Sequence, residues 1–276
     1  MIQGKDDRHQ IETTYVRSRI IELYTDPIQG QYDLGHLKAI NHHLFQDLPK
    51  HGFTDITPGE LRSPTPEHRD WIKQRRLESV GANTVVAYSP MDEKAIKQLQ
   101  TALSAADPTK LKHLKTEEFT KALGQLYVTA DYVHPFPDGN SRTLREFTRQ
   151  LAKESGYRLD WSRFDKSSAG RDTLYIARDL SVNELALKSV KNTDTQREIT
   201  FALDQFGGNR KLPDLLKDVI RPERAIAFEK MEEREALNNH PELQNAYSVL
   251  HKAEDQLSTA KPEARDKTMA IIKSQL

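Results

Sequence analysis

Twelve consecutive residues, His134-Pro135-Phe136-Pro137-Asp138-Gly139-Asn140-Ser141-Arg142-Thr143-Leu144-Arg145, hold the side chains best suited to chemistry. His134 is the one group among them that titrates near neutrality, which suits a general base. Asp138 offers a hard oxygen ligand, and Mg²⁺ bound together with phosphates needs only one or two carboxylates. The segment reads as a loop that feeds directly into a helix, so unpaired backbone N–H groups and the positive end of the helix dipole form an anion site. Gly139 permits close backbone approach, and Asn140 offers an amide donor. Arg142 and Arg145, three apart on the new helix, put two guanidinium forks on neighbouring faces, which suits a di- or triphosphate. The chemistry implied is a phosphate cradle, a metal ligand and a general base.

The flanking elements must position these groups. Upstream, Thr116 is expected to cap a strong amphipathic helix with Phe119, Ala122, Leu123, Leu126, Tyr127, Ala130 and Val133 on its buried face. Downstream, a helix from about residue 141 to 155 turns Leu144, Phe147 and Leu151 inward and stops at Gly156. Earlier in the chain, residues 12–24 carry a loose helical stripe, broken by Asp26-Pro27 and Gly30. Asp33 is a good N-cap for a second helix with Leu37, Ile40, Leu44 and Phe45. Residues 53–90 differ: Pro58-Gly59 signals a turn, and Leu61-Arg62 and residues 84–88 are short β-like runs separated by the polar stretch 63–83. This predicts a hairpin or flap, after which Pro90 and Asp92 open a helix through Leu103. Gly207-Gly208-Asn209 reads as a boundary, dividing the chain into a core of 1–205 and a helical extension of 206–276.

Composition limits the alternatives. The chain has 276 residues with 41 basic and 41 acidic side chains, a zero balance that argues against a dedicated nucleic-acid or polybasic membrane binder. Hydrophobic residues make up 36% and the mean hydropathy is -0.74, in keeping with a soluble helical protein. The absence of cysteine excludes disulfides, cysteine-ligated zinc and a cysteine nucleophile. The N-terminus has no apolar signal-peptide region, and no run approaches 18 apolar residues, so neither a secretory signal nor a membrane helix is expected. His36, His42 and His43 share one helix without the i,i+4 pairing and third ligand that zinc wants, so surface or flap packing is expected of them.

The twelve-residue segment resembles the signature of the Fic family, His-x-Phe-x-Asp/Glu-Gly-Asn-x-Arg-x-x-Arg, with His134, Phe136, Asp138, Gly139, Asn140, Arg142 and Arg145 at its fixed positions. Gly30 to Leu34, His36-Leu37 and Leu44 to Asp47 resemble the family's first core helix, and Pro58 to Arg62 the segment entering its flap. Together these place about residues 10–200 under the resemblance. It implies a mainly α fold: a Fic-type helical bundle with a small β-hairpin flap at about 53–90, followed by the C-terminal helical extension. It further implies transfer of AMP from ATP to a Ser, Thr or Tyr hydroxyl of a target protein, with release of pyrophosphate. On that reading His134 takes the proton of the attacking hydroxyl and Asp138 holds Mg²⁺. Asn140 and the backbone N–H groups of Gly139 and Ser141 bind the α- and β-phosphates, and Arg142 and Arg145 the outer ones. Phe136 anchors the loop, and Leu61, Arg62, Val85, Val86 and Ala87 of the flap clamp the target as an added strand. Alternatives on the same scaffold are another donor (UTP, a phosphocholine carrier, a Doc-like kinase) or a silent binding module.

Position 141 is usually Gly in the family and is Ser here. A positive φ there would cost on the order of 1 kcal/mol, whereas a backbone-only role would tolerate Ser. Many Fic proteins are silenced by Ser/Thr-x-x-x-Glu-Gly/Asn, whose Glu pairs with the second motif arginine, here Arg145. Ser18/Glu22, Ser63/Glu67, Ser89/Glu93 and Thr259/Glu263 have the spacing, but the residues that follow, Leu23, His68, Lys94 and Ala264, do not complete the pattern. The resemblance therefore implies a small antitoxin-like inhibitor acting in trans, on a toxin or effector found in a bacterial cytoplasm or secreted into a host or recipient cell.

Overall fold

In the computed structural model, which describes residues 5–257 and 262–274, one helix organises the core. The chain runs α1 (Lys5–Thr25), α2 (Leu34–Phe45), β1 (Trp71–Leu77), β2 (Ala82–Tyr88), α3 (Glu93–Ser104), α4 (Pro108–Leu111), α5 (Thr116–Val133) and α6 (Asn140–Glu154). It continues through β3 (Tyr157–Leu159), α7 (Ser168–Ala186), α8 (Thr193–Phe206), α9 (Leu212–Leu215), β4 (Ile220–Pro222), α10 (Glu223–Lys230), α11 (Glu233–Asn239), α12 (Gln244–Leu257) and α13 (Pro262–Ser274). The mainly helical architecture with a small hairpin matches the expectation from sequence. From Leu126 onward α5 is buried on every face, because α3, α6, α7 and α9 pack around it.

Local signals explain most boundaries. The Asp33 carboxylate accepts the His36 N–H (2.9 Å) and Asp92 accepts that of Ala95 (2.8 Å), so both caps read from sequence are present. At α5 the cap is Lys115, whose N–H donates to Glu118 (3.1 Å), and Thr116 is the first helical residue. Gly156 ends α6 with a φ of 80°. His36 is core: Nδ1 accepts the Tyr32 N–H (3.3 Å) and Nε2 donates to the Ile28 carbonyl (2.9 Å), pinning the α1–α2 connection.

The hairpin differs from the expectation. Leu61 and Arg62 form no strand; the first strand is Trp71–Leu77, inside the stretch read as a polar insertion, paired antiparallel with β2 from Trp71↔Tyr88 to Leu77↔Ala82. The break expected after residue 205 does not separate two cores. Leu212, Leu215, Leu216, Val219 and Ile220 join the same hydrophobic cluster as α5, and β4 pairs with β3. A separate small cluster starts only at Ala227, with Phe228, Ala236, Leu243 and Tyr247.

α5 packs tightly against α9: a Cβ at Gly124 would lie 2.9 Å from Cα of Pro213. Gly124→Val is expected to lower stability by about 1–3 kcal/mol through overpacking against that backbone, read as a reduced urea midpoint; an unchanged midpoint would show that α9 does not depend on the core.

Candidate active site

The chain leaves α5 and enters α6 within residues 134–139, of which His134, Pro135, Phe136 and Gly139 are buried. His134 caps α5 in a left-handed conformation (φ 51°), its N–H donating to the Ala130 carbonyl (3.0 Å). Pro135 and Pro137 carry no N–H, which removes two donors that would otherwise need partners. The Asn140 side chain closes the loop on itself: Oδ1 accepts the Phe136 N–H (2.9 Å) and Nδ2 donates to the Phe136 carbonyl (2.8 Å). Phe136 is 1% exposed, the anchor expected of it. Gly139 has a φ of 77°, and a Cβ there would fall 2.2 Å from the Phe45 ring at the end of α2, so only glycine fits.

Arg62 underpins the loop from the segment before the hairpin. Its N–H donates to the Pro135 carbonyl (2.8 Å), its Nε to that of His134 (2.7 Å), and its Nη2 to those of Ser89 (2.7 Å) and Val133 (3.2 Å). The guanidinium also lies over the Trp71 ring.

A pocket of about 300 Å³ opens above the loop, lined by His134, Asp138, Gly139, Asn140, Ser141, Arg142 and Arg145 from the motif. Lys73 and Arg75 of β1, Tyr175 and Arg178 of α7, and His9, Glu12 and Thr13 of α1 complete the wall. The motif residues thus converge as the spacing predicted, with two changes of role. The Asn140 amide is spent inside the loop on the Phe136 backbone. Ser141 lies in the first turn of α6 without a positive φ, so it is unstrained, and its hydroxyl accepts from Arg178 Nη1 (3.0 Å).

The docking residues read from sequence are corrected more strongly. Arg62 is a buried strut and Leu61 packs partly buried on the core. Val86 and Ala87 are fully buried, and Asn183 of α7 covers the outer edge of β2, accepting from the Ala87 N–H (3.0 Å) and donating to the Val85 carbonyl (2.8 Å). The strand edge left unpaired is that of β1, whose Ile72, Gln74 and Arg76 are exposed while Lys73 and Arg75 turn inward.

Electrostatics set the protonation states. Burial pushes His134 down to about 4, with Asp131 opposing and Lys73 and Arg62 adding to the shift, so the imidazole is neutral at pH 7. Its ring stacks on Tyr88 with centroids 3.8 Å apart. Burial likewise lowers Lys73, which has no ion pair or hydrogen bond among the described residues. Arg142 pairs with Glu12 of α1 (2.5 Å) and lies over the Phe45 ring. Arg145 pairs with Asp165 (3.1 Å). One oxygen of the exposed Asp138 carboxylate takes the Gly139 N–H (2.6 Å), which leaves the other for a cation. Among the described residues no three His, Cys, Asp or Glu side chains are grouped to hold a metal by themselves, so a cation at Asp138 needs ligand oxygens, as Mg²⁺ with a polyphosphate has. Sequence reasoning missed Glu12, Lys73, Arg75, Asp131 and Arg178. Only Asp131, one turn before His134 on a helix buried all round, carried a readable signal.

Residues 31–152 match the sequence model of the Fic/DOC family. The chain is 30% identical over 166 residues to the protein adenylyltransferase VbhT of Bartonella schoenbuchensis, a match covering 60% of this chain and 30% of that protein. It is 26% identical over 165 residues to the probable protein adenylyltransferase y4lH of Sinorhizobium fredii, covering 59% and 73%. Two solved structures share the fold. One is BepC, a VirB-translocated effector of Bartonella tribocorum with bound AMPPNP (TM-score 0.52, 18% identity, 80% of this chain and 90% of that one). The other is the N-terminal Fic domain of an effector from Bartonella sp. AR 15-3 (TM-score 0.53, 18% identity, 82% and 87%). No described helix is long and apolar enough to cross a membrane.

Gly139→Ala must combine a left-handed backbone with a Cβ against the Phe45 ring. The variant is expected to weaken AMPPNP binding by tenfold or more, about 1.4 kcal/mol, measured by calorimetry. Wild-type affinity would show that the loop backbone does not form the anion site.

Proposed function

We propose that this protein is a protein adenylyltransferase that moves AMP from ATP to a hydroxyl of a target protein. The observation that carries the reading is a neutral, buried His134 facing a pocket whose walls are the N-terminus of α6 and five cationic side chains, Lys73, Arg75, Arg142, Arg145 and Arg178. A polyphosphate is the ligand class that such a wall selects. The backbone N–H groups opening α6 and the two motif arginines bind phosphate, and Lys73, unpaired on the flap, is free to meet the same charge. Mg²⁺ would be held by Asp138 together with phosphate oxygens, supplying neutralisation of the charge that develops on them. His134 Nε2 takes the proton of the target hydroxyl, whose oxygen attacks the α-phosphorus as pyrophosphate leaves. The exposed, unpaired edge of β1 is the place where an extended target segment can add as a strand and bring its hydroxyl to the pocket.

Glu12 bears on regulation. It falls outside the inhibitory pattern because Arg8 stands where Ser or Thr is required, yet α1 brings its carboxylate onto Arg142. Outer phosphates must displace that pair, so α1 restrains nucleotide binding in cis. An antitoxin-like inhibitor acting in trans is left the other guanidinium, Arg145.

Three outcomes test the reading. With α-³²P-ATP, Mg²⁺ and bacterial or host lysate, His134→Ala is expected to lose at least about 10²-fold in labelling while still binding AMPPNP; labelling that survives would exclude His134 as the base. The rate is expected to stay level from pH 8 to about 6 and fall only toward the low His134 value, whereas an imidazole near 6.5 would already be about three-quarters inactive at pH 6. Glu12→Ala is expected to tighten AMPPNP binding about two- to tenfold, and unchanged affinity would reduce the Glu12–Arg142 pair to a structural role.

A further inference from the structure

The imidazole of His134 is 2% exposed, and neither ring nitrogen has a hydrogen-bond partner. Tyr88 fixes its plane by stacking, but stacking does not decide which nitrogen carries the proton. One turn earlier on α5, Asp131 is 1% exposed and holds Oδ1 3.8 Å from Nδ1 of His134. That carboxylate cannot swing away. Arg178 of α7 grips it with two N–H groups, Nε to Oδ2 (2.9 Å) and Nη2 to Oδ1 (2.9 Å), and its remaining Nη1 donates to the Ser141 hydroxyl (3.0 Å). One guanidinium therefore joins the carboxylate beside the base to the first turn of the anion-binding helix.

We propose that Asp131, clamped by Arg178, is the positioning residue of His134: it holds the imidazole in the tautomer with its proton on Nδ1 and so leaves Nε2 as the acceptor. The inference rests on the transferase reading for its kinetic consequence, and on geometry alone for the tautomer. A lone pair on Nδ1 would face an anion 3.8 Å away, whereas an N–H there faces an acceptor. In the transfer step the hydroxyl O–H bond breaks and an Nε2–H bond forms. The new O–P bond replaces the bond to pyrophosphate, and the imidazolium then returns its proton to solvent. During that interval Asp131 faces a cation. Burial pushes its carboxyl up, but Arg178 and His134 outweigh that and keep it ionised. Burial, with Lys73 and Arg62 adding to it, keeps His134 unprotonated at rest. Ser141 thereby acquires a function of its own in this chain, as the hydroxyl that takes up the third arm of the clamp.

The test is Asp131→Asn in the full chain. Nitrogen-15 spectra of the wild type are expected to show His134 as the Nδ1–H tautomer, and the variant a mixture or the Nε2–H form. The variant's kcat for labelling is expected to fall tenfold or more at unchanged KM for ATP. An Nε2–H wild type overturns the proposal, and so does a folded variant with wild-type tautomer and kcat. If Asp131→Asn fails to fold because Arg178 is left buried and unpaired, the double variant Asp131→Asn/Arg178→Gln removes both charges. It is expected to show the same tautomer change, and retention of Nδ1–H there overturns the proposal. A wild type that labels nothing yet holds the Nδ1–H tautomer would sink the transferase reading and leave the positioning of His134 standing.

Discussion

The site depends on one constraint: the chain must turn from α5 into α6 within six residues, four of them buried. A buried, unpaired peptide group costs about 1–3 kcal/mol, and the chain meets that demand in three ways. Two prolines delete N–H donors, and the Asn140 amide takes both backbone groups of Phe136. Arg62 spreads its donors over the carbonyls that remain. Once this turn is fixed, the base, the cation ligand and the helix N-terminus have no freedom to separate. The hairpin, α2 and α7 can all be understood as supports for it.

Charge is arranged around the same turn. The chain is neutral overall, but the pocket gathers five cationic side chains. Such a cluster is stable only because several of them are partnered. Asp131 holds Arg178, Asp179 holds Arg75, Glu12 holds Arg142 and Asp165 holds Arg145. The partners differ in burial. Asp131 and Asp179 are enclosed and permanent, whereas Glu12 and Asp165 sit nearer the surface, where exchange for phosphate oxygens is cheap. The pocket thus separates arginines that build the site from arginines available to a ligand.

Much of this was legible in the sequence, and the gaps have physical causes. The motif is contiguous, and α2, α5 and α6 announce themselves by apolar spacing and caps, so the base and cradle could be placed residue by residue. β1 was missed because its inward face carries Lys73 and Arg75 for the pocket in place of the apolar residues that mark a strand. The docking edge moved from β2 to β1 because burial of Val86 and Ala87 under α7 is a tertiary fact. Arg178 and Asp131 lie 47 positions apart, and no local pattern pairs them. Glu12 escaped because it was sought through the residue four before it, although reaching Arg142 requires only its own position on α1.

His134 combines a left-handed backbone, complete burial and two ring nitrogens without partners, each of which works against folding. Glycine would relieve the backbone strain and remove both unpaired nitrogens, against the loss of the Tyr88 stack. A library screened for heat resistance alone would therefore be drawn toward replacing the very residue that activity requires, and only a screen that also reads turnover would keep it.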